Sequence, residues 1–272
     1  MTNQHYDESF GRKAPENYEQ FFVPAIGRPL AEDIIREAAL TPGEKVLDVA
    51  CGTGIVARLA AEKVTPNGTV SGLDVNPGML AVARSIAPDD AVIDWYQASA
   101  EAMPLSDEIF DVVICQLSLQ FIENKVVALQ EMQRVLTPGG RILLNVPGPI
   151  SELFTIMATE MEQNISTKAA GFVKQVFSLH DTGEIDQLMS NAGFEEIKIQ
   201  PEIKSLKLPS PEEFLWQYVH STPMAAVVSE ADEKSQSALE YAVTKEWSKF
   251  AQNGSMTYKQ RIVTVSAKKV ET

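Results

Sequence analysis

The sequence predicts an α/β fold built on a doubly wound, mostly parallel sheet, and three observations predict it. Short apolar runs of strand length alternate with stretches whose apolar residues recur at helical spacing. The run Val46-Leu47-Asp48-Val49-Ala50 stops at Cys51-Gly52-Thr53-Gly54 and passes at once into the helical pattern Ile55 to Ala61, a buried strand, a tight loop and a helix start. The 272 residues, 44% of them hydrophobic, supply a core for one large domain spanning 1–272.

The elements follow in order. Residues 1–29 mix aromatic side chains (Tyr6, Phe10, Tyr18, Phe21, Phe22) with charge and precede the sheet. Leu30, Ile34, Ile35, Ala38 and Ala39 mark a helix that Thr41-Pro42-Gly43 closes before the first strand. After the next helix, Thr65-Pro66-Asn67-Gly68 turns into a second strand, Thr69 to Asp74, which ends in a carboxylate. Asn76-Pro77 is a cap and first-turn proline for a helix carrying Met79, Leu80, Val82, Ala83 and Ile86. Val92 to Tyr96 and Phe110 to Gln116 read as the third and fourth strands. The stripe Leu129, Met132, Val135, Leu136 leads through Thr137-Pro138-Gly139-Gly140 to the fifth, Arg141 to Val146. Residues 151–166 form a helix, and Asp181 to Glu184 is a capping box for another that Gly193 ends. Phe194 to Ile199 is the sixth strand and Tyr258 to Ala267 the last. The insert between them, 205–257, is too long for a hairpin and carries a helical stripe at Leu239, Ala242, Val243, Trp247 and Phe250, so it predicts a helical cap.

With 37 acidic residues against 23 basic, the formal charge of −14 excludes nucleic acid and anionic membranes as expected partners. No basic start leads into an apolar segment and no stretch approaches the roughly 20 apolar residues of a membrane span, so a cytoplasmic protein is expected. The two cysteines, Cys51 and Cys115, read as small buried hydrophobes rather than a disulfide pair. No metal-binding cysteine pattern, internal repeat or low-complexity tract appears.

Gly52 and Gly54 remove side chains where a ligand approaches the backbone, and N–H groups of the loop are expected to point at it from the helix N-terminus. The spacing Gly52-x-Gly54-x-x-Ala57, with Asp74 twenty positions after Gly54, also fits a dinucleotide fingerprint. Charge chooses between them. Asp48, just ahead of the glycines, repels a pyrophosphate and attracts a cationic sulfonium, which favours S-adenosylmethionine over a nicotinamide cofactor.

Asp48-Val49-Ala50-Cys51-Gly52-Thr53-Gly54 resembles the first motif of the class I S-adenosylmethionine-dependent methyltransferases, in their UbiE-like, type-11 branch. That motif usually carries glycine at Ala50, and an alanine fits there if its φ stays negative. The resemblance implies a Rossmann-like seven-stranded sheet whose last strand runs antiparallel beside the sixth, with the product S-adenosylhomocysteine held at the same site. It implies ribose binding by Asp74, next to Val75, and an adenine contact from Met79, although a methionine at helical spacing equally suits the core. Ser99 stands where the family usually has an aspartate for the adenine amino group, and Ala100 offers a backbone N–H. Gln116 and Gln120, at and after the fourth strand end, either face the methionine half of the cofactor or acceptor, or tie down their own loop. Tyr18 and Phe22 stand where the family often closes its pocket, and the resemblance counts them among the cofactor-binding residues. The Pro138-Gly139-Gly140 turn is common in the family.

The division expected is a core of 30–150, 176–204 and 258–270 with a cap of 1–29, 151–175 and 205–257. Methyl transfer from a sulfonium is an in-line displacement that needs alignment more than acid or base. Of the candidate bases, His5, His180, His220 and the tyrosines, none is assigned a catalytic role. The acceptor expected is a small, partly apolar organic molecule, since the cap segments carry Phe154, Met157, Phe172, Phe177, Phe214, Trp216 and Tyr218. The alternatives are a nicotinamide-dependent oxidoreductase and a non-catalytic S-adenosylmethionine-binding protein.

Overall fold

The computed structural model describes residues 13–88 and 92–271, so His5, Tyr6 and Phe10 lie outside the described residues. The chain divides into a sheet unit (residues 30–148, 179–202 and 262–272) and a helical unit (residues 1–29, 149–178 and 203–261).

Two rows of side chains build the sheet unit. Along β1 (Lys45–Val49), Leu47 and Val49 point to one face and Asp48 to the other, because a strand alternates. Helices link β1 to β2 (Thr69–Asp74), β2 to β3 (Ile93–Gln97) and β4 (Phe110–Gln116) to β5 (Leu136–Pro147), a loop links β3 to β4, and the pairs β1–β2, β2–β3, β1–β4 and β4–β5 are parallel. The strand order is β3-β2-β1-β4-β5-β8-β6. β6 (Phe194–Leu208) forms one edge, and β8 (Ser255–Lys269) runs antiparallel to β5, as the family resemblance implied. A two-residue strand, β7 (Ala251–Gln252), pairs with β8 outside this path of seven.

The helices of this unit are α1 (Arg28–Ala38), α2 (Ile55–Val64), α3 (Pro77–Ile86), α4 (Lys125–Val135) and, later, α7 (Thr182–Asn191). α2 lies against β1 and β2 and α3 against β2 and β3, while α4 lies against β5 and α7. Leu47, Val49, Val113 and Cys115 from the sheet and Leu129, Met132, Ile185 and Met189 from α4 and α7 form one core, all of them nearly inaccessible. Asn76 caps α3 by accepting from Gly78 and Met79, and Asp181 caps α7 by accepting from Glu184. The Thr137-Pro138-Gly139-Gly140 turn sits inside the β5 span: pairing with β4 jumps from Phe110↔Leu136 to Val112↔Arg141, and the extra residues are bulged out with Gly139 at φ 74°. Strands six and eight run longer at both the insert's ends than their apolar patterns predict, because their outer halves alternate with exposed polar residues and carry little hydrophobic signal.

The helical unit opens with a helical run, Ala14–Asn17, that widens to π-helix over Tyr18–Gly27 around Pro24. α5 (Glu152–Asn164) packs on α6 (Thr167–Val176) and α10 (Glu233–Trp247), and α8 (Pro211–His220) packs on α10 and the π-helical segment; α9 is Met224–Ser229. Phe154 is its hub, with ring centroids of Phe177 and Tyr218 at 5.1 Å and Tyr258 at 5.4 Å. Trp247, fully buried, donates its indole N–H to the Leu153 carbonyl at 2.9 Å. The predicted single long helix ends at Trp247; Phe250 lies in a following 3-10 turn.

Candidate functional site

Parallel strands β3, β2, β1 and β4 bring the residues that follow them to one edge of the sheet, in the order Ser99, Asp74, the Ala50–Gly54 loop, Gln116. Between β1 and β4 the winding reverses, which is where open α/β sheets hold their ligands. The structure therefore brings together Asp48, Ala50, Cys51, Gly52, Thr53, Gly54, Asp74, Val75, Ser99, Ala100 and Gln116 at that edge. Met79 is 6% exposed on α3, whose N-terminus follows β2. Tyr18 and Phe22 belong to the helical unit, where they stack on each other at 4.6 Å, with Tyr218 6.3 Å from Phe22.

Two buried carboxyl groups organise the loop. Asp48 Oδ2 accepts from Ala57 N–H at 3.0 Å, one of the orphan donors of the first turn of α2. Asp74 Oδ2 accepts from Gly52 N–H at 2.7 Å and Oδ1 from Asn76 N–H at 2.8 Å. Burial pushes the Asp48 carboxyl up to about 8, aided by the charge of Asp74, and burial likewise raises Asp74 against the pull of its backbone donors. Burial also raises the thiols of Cys51, well above its ordinary value, and Cys115, to about 12, so neither is a nucleophile.

This geometry corrects three expectations. The loop amides do not form an open cradle: Cys51 N–H donates to Leu73 O at 3.0 Å, Gly52 N–H to Asp74, and Gly54 N–H to Cys51 O at 2.8 Å. Ala50 does not keep a negative φ; it sits at 55°, in the left-handed region, which is the physical reason that the resembling motif favours glycine there. The side-chain space that Gly54 leaves is taken by protein: a Cβ there would lie 2.4 Å from Cη2 of Trp95, and a Cβ on Gly72 2.5 Å from Cε3. Trp95 on β3 was missed by sequence reasoning, although its cross-strand register with Gly72, a small residue beside a large one, is the signal that finds it once the pairing is known.

At the other side of the loop, Leu117 has φ 52° and its N–H is bound by both the backbone and side-chain oxygens of the buried Asn145, at 2.9 and 3.0 Å. Asn145 is a second residue that sequence reasoning missed, hidden in an apolar strand. Ser99 Oγ accepts from Glu101 N–H at 3.1 Å, closing its own turn, with a second lone pair remaining. Ala100 is buried. Among the candidate bases, His180 and His220 are exposed; His220 stacks on Trp216 at 5.8 Å. Among the described residues no cluster of His, Cys, Asp and Glu is arranged to hold a metal ion, and no helix is long and apolar enough to cross a membrane.

A model of the methyltransferase domain matches residues 47–144. Over 178 residues the chain is 31% identical to the ubiquinone/menaquinone biosynthesis C-methyltransferase UbiE of Shewanella pealeana, covering 60% of this chain and 71% of the relative. Its backbone resembles the YcgJ protein of Bacillus subtilis, with a TM-score of 0.58, 20% identity and coverage of 89% of this chain and 98% of that one. It also resembles a phosphoethanolamine N-methyltransferase 2 of Haemonchus contortus, solved with phosphomonomethylethanolamine and S-adenosylhomocysteine, with a TM-score of 0.62, 20% identity and coverage of 96% of this chain and 58% of that one. At that identity the two structures show the fold alone.

Proposed function

Since this chain belongs to the class I S-adenosylmethionine-dependent methyltransferases, we propose that its sheet edge holds the cofactor through Asp48, the Ala50–Gly54 loop, Asp74, Val75, Met79, Ser99, Ala100 and Gln116, and that the acceptor is a small organic molecule. The protein is an S-adenosylmethionine-dependent methyltransferase. The single observation that carries the site assignment is the pair of buried carboxyls quenching the loop amides. An anionic pyrophosphate needs free N–H groups at a helix start. Here Cys51, Gly52, Gly54 and Ala57 donate inward, and the carboxyl groups of Asp48 and Asp74 stand at the loop as acceptors. That chemistry fits a ligand with hydroxyl donors and a cationic end and disfavours a dinucleotide.

S-adenosylmethionine supplies a methyl carbon made electrophilic by its sulfonium. The chain's residues hold and align. Asp74 accepts from the backbone amides of Gly52, Asn76 and Val75, and its remaining acceptor capacity is assigned to the ribose hydroxyls. Ser99 retains one lone pair for the adenine amino group, a neutral contact where a carboxylate would be stronger. A bound sulfonium draws the raised Asp48 carboxyl toward its ionised form, which places a negative charge ahead of the loop.

The acceptor is assigned to the helical unit, whose aromatic set, Phe154, Phe177, Phe214 and Tyr218, is uncharged and suits a partly apolar molecule. Tyr18 and Phe22 belong with that set. The net charge of −14 argues against nucleic acid as acceptor, and a cytoplasmic location is part of the same proposal. A quinone precursor not yet methylated at the acceptor carbon is the first acceptor to try, because the Shewanella pealeana relative is named as a ubiquinone/menaquinone biosynthesis C-methyltransferase. The test is thermal unfolding with S-adenosylhomocysteine or NAD, followed by a screen of small acceptors with labelled methyl donor. Stabilisation by S-adenosylhomocysteine alone and label transfer to a neutral organic acceptor are expected; stabilisation by NAD alone, or transfer only to nucleic acid, would overturn the reading.

A further inference from the structure

The side-chain oxygen of Gln120 is a buried hydrogen-bond acceptor without a partner among the described residues. Gln120 is 3% exposed and lies in the 3-10 turn Leu119–Phe121, immediately beyond β4. Its amide has one sensible orientation, because Nε2 donates to the Leu117 carbonyl at 2.8 Å, and reversing it would set two oxygens against each other. The turn is held at both ends of Leu117, by Asn145 on the N–H and by Gln120 on the carbonyl, so Oε1 is fixed in place rather than swinging. A buried acceptor left unpaired costs free energy that a ligand donor recovers.

Strand order says which donor. Across the edge, Ser99 follows β3, Asp74 closes β2, the glycine loop follows β1 and Gln120 follows β4. On the cofactor reading above, adenine and ribose lie on the β3 and β2 side. The molecule has three kinds of hydrogen-bond donor, the adenine amino group, the ribose hydroxyls and the α-ammonium, and only the last is left for the β4 side. Neighbouring groups agree: Ser118 Oγ donates to Gln116 O at 2.8 Å and lies 3.4 Å from Ala50 O, tying this turn to the loop with carbonyl oxygens around it. We propose that Gln120 is a positioning residue whose Oε1 accepts a hydrogen bond from the α-ammonium of the cofactor and so fixes its aminoacyl end. The proposal rests on the cofactor placement given above.

Calorimetry with two ligands tests it. S-adenosylhomocysteine carries the ammonium; 5′-methylthioadenosine keeps adenine, ribose and sulfur and lacks the aminoacyl group. Gln120→Met, of similar length and volume, is expected to weaken S-adenosylhomocysteine about tenfold while 5′-methylthioadenosine stays within about twofold. Gln120→Glu keeps an oxygen toward the ligand but sets its second oxygen against the Leu117 carbonyl, so the ratio of the two affinities, and not either affinity alone, is expected to hold or move further toward S-adenosylhomocysteine. Equal losses for both ligands, together with a lower unfolding midpoint in their absence, would mean that Gln120 only holds the Leu117 turn. No loss for either, with a raised KM for the methyl acceptor, would assign the oxygen to the acceptor instead. Either result overturns the proposal. Wild-type protein that binds neither ligand would instead sink the cofactor placement itself.

Discussion

Asp74 holds the backbone amides of Gly52, Asn76 and Val75 as well as any ligand, so its removal has two separable effects. Asp74→Ala is expected to weaken S-adenosylhomocysteine by roughly 1–3 kcal/mol, through lost charge-assisted bonds, and also to lower stability because Gly52 and Asn76 lose their acceptor. Calorimetry beside ligand-free thermal unfolding reads the two separately; unchanged affinity would remove Asp74 from the site. For Asp48 the effect is one of protons. Its carboxyl is raised to about 8, so the folded chain keeps a proton that the unfolded chain releases near the ordinary 3.8. Stability from this group is therefore complete below about 4 and is lost as pH rises through about 8. Unfolding midpoints of the ligand-free protein should fall between pH 6 and pH 8.5, and Asp48→Asn should flatten that fall. A sulfonium favours the ionised carboxylate, so the affinity ratio of S-adenosylmethionine to S-adenosylhomocysteine should rise over the same range and lose its slope in Asp48→Asn. Ala50, at φ 55°, makes the opposite kind of prediction: Ala50→Gly relieves more strain than it adds in unfolded-state entropy, a gain of about 0.5–1 kcal/mol in denaturant unfolding.

At the scale of elements, β2 and β3 meet through Gly72 and Trp95. A methyl group on Gly72 would lie 2.5 Å from Cε3 and Cζ3 of Trp95 and 3.1 Å from Cys51 Sγ, so Gly72→Ala should cost about 1–3 kcal/mol by overpacking. Adding Trp95→Val should return part of that loss, and a double-mutant cycle with no coupling would show that the indole yields freely. Such a contact is what the linear sequence hides. The five parallel strands and the caps at Asn76 and Asp181 were legible because apolar runs and capping residues act locally, and the antiparallel return of β8 followed from the family resemblance. At the loop, the residue types were legible and their bonds were not. The sign of φ at Ala50, the inward turn of three amides and the indole behind Gly54 depend on which strands pair and in what register. Gln120 stood between two roles in the sequence for the same reason, since an unpaired oxygen is defined by its surroundings.

For the whole molecule, the chain passes between the two units in ways that limit how the acceptor assignment can be tested. The boundaries at 202/203 and 261/262 fall within β6 and β8, so removing the helical unit would cut two continuous strands and forfeit the sheet. Point substitution inside the helical unit is the cleaner route, and Tyr218 is the place for it. Its ring is 4% exposed among Phe22, Phe154 and Phe214, and burial alone raises its phenol, with no hydrogen bond engaging the hydroxyl among the described residues. The group is neutral at physiological pH and can donate or accept, which suits orientation of an acceptor's oxygen or nitrogen and not proton abstraction. Tyr218→Phe keeps the ring packing and removes only that hydroxyl. Stability should hold, since the ring and its packing are kept. S-adenosylhomocysteine affinity should stay within about twofold, whereas kcat/KM for the methyl acceptor should fall about tenfold, the worth of one hydrogen bond to the substrate, roughly 1.4 kcal/mol. Undiminished transfer by a stable Tyr218→Phe protein, with unaltered preference among the acceptors screened, would take acceptor selection away from this aromatic set.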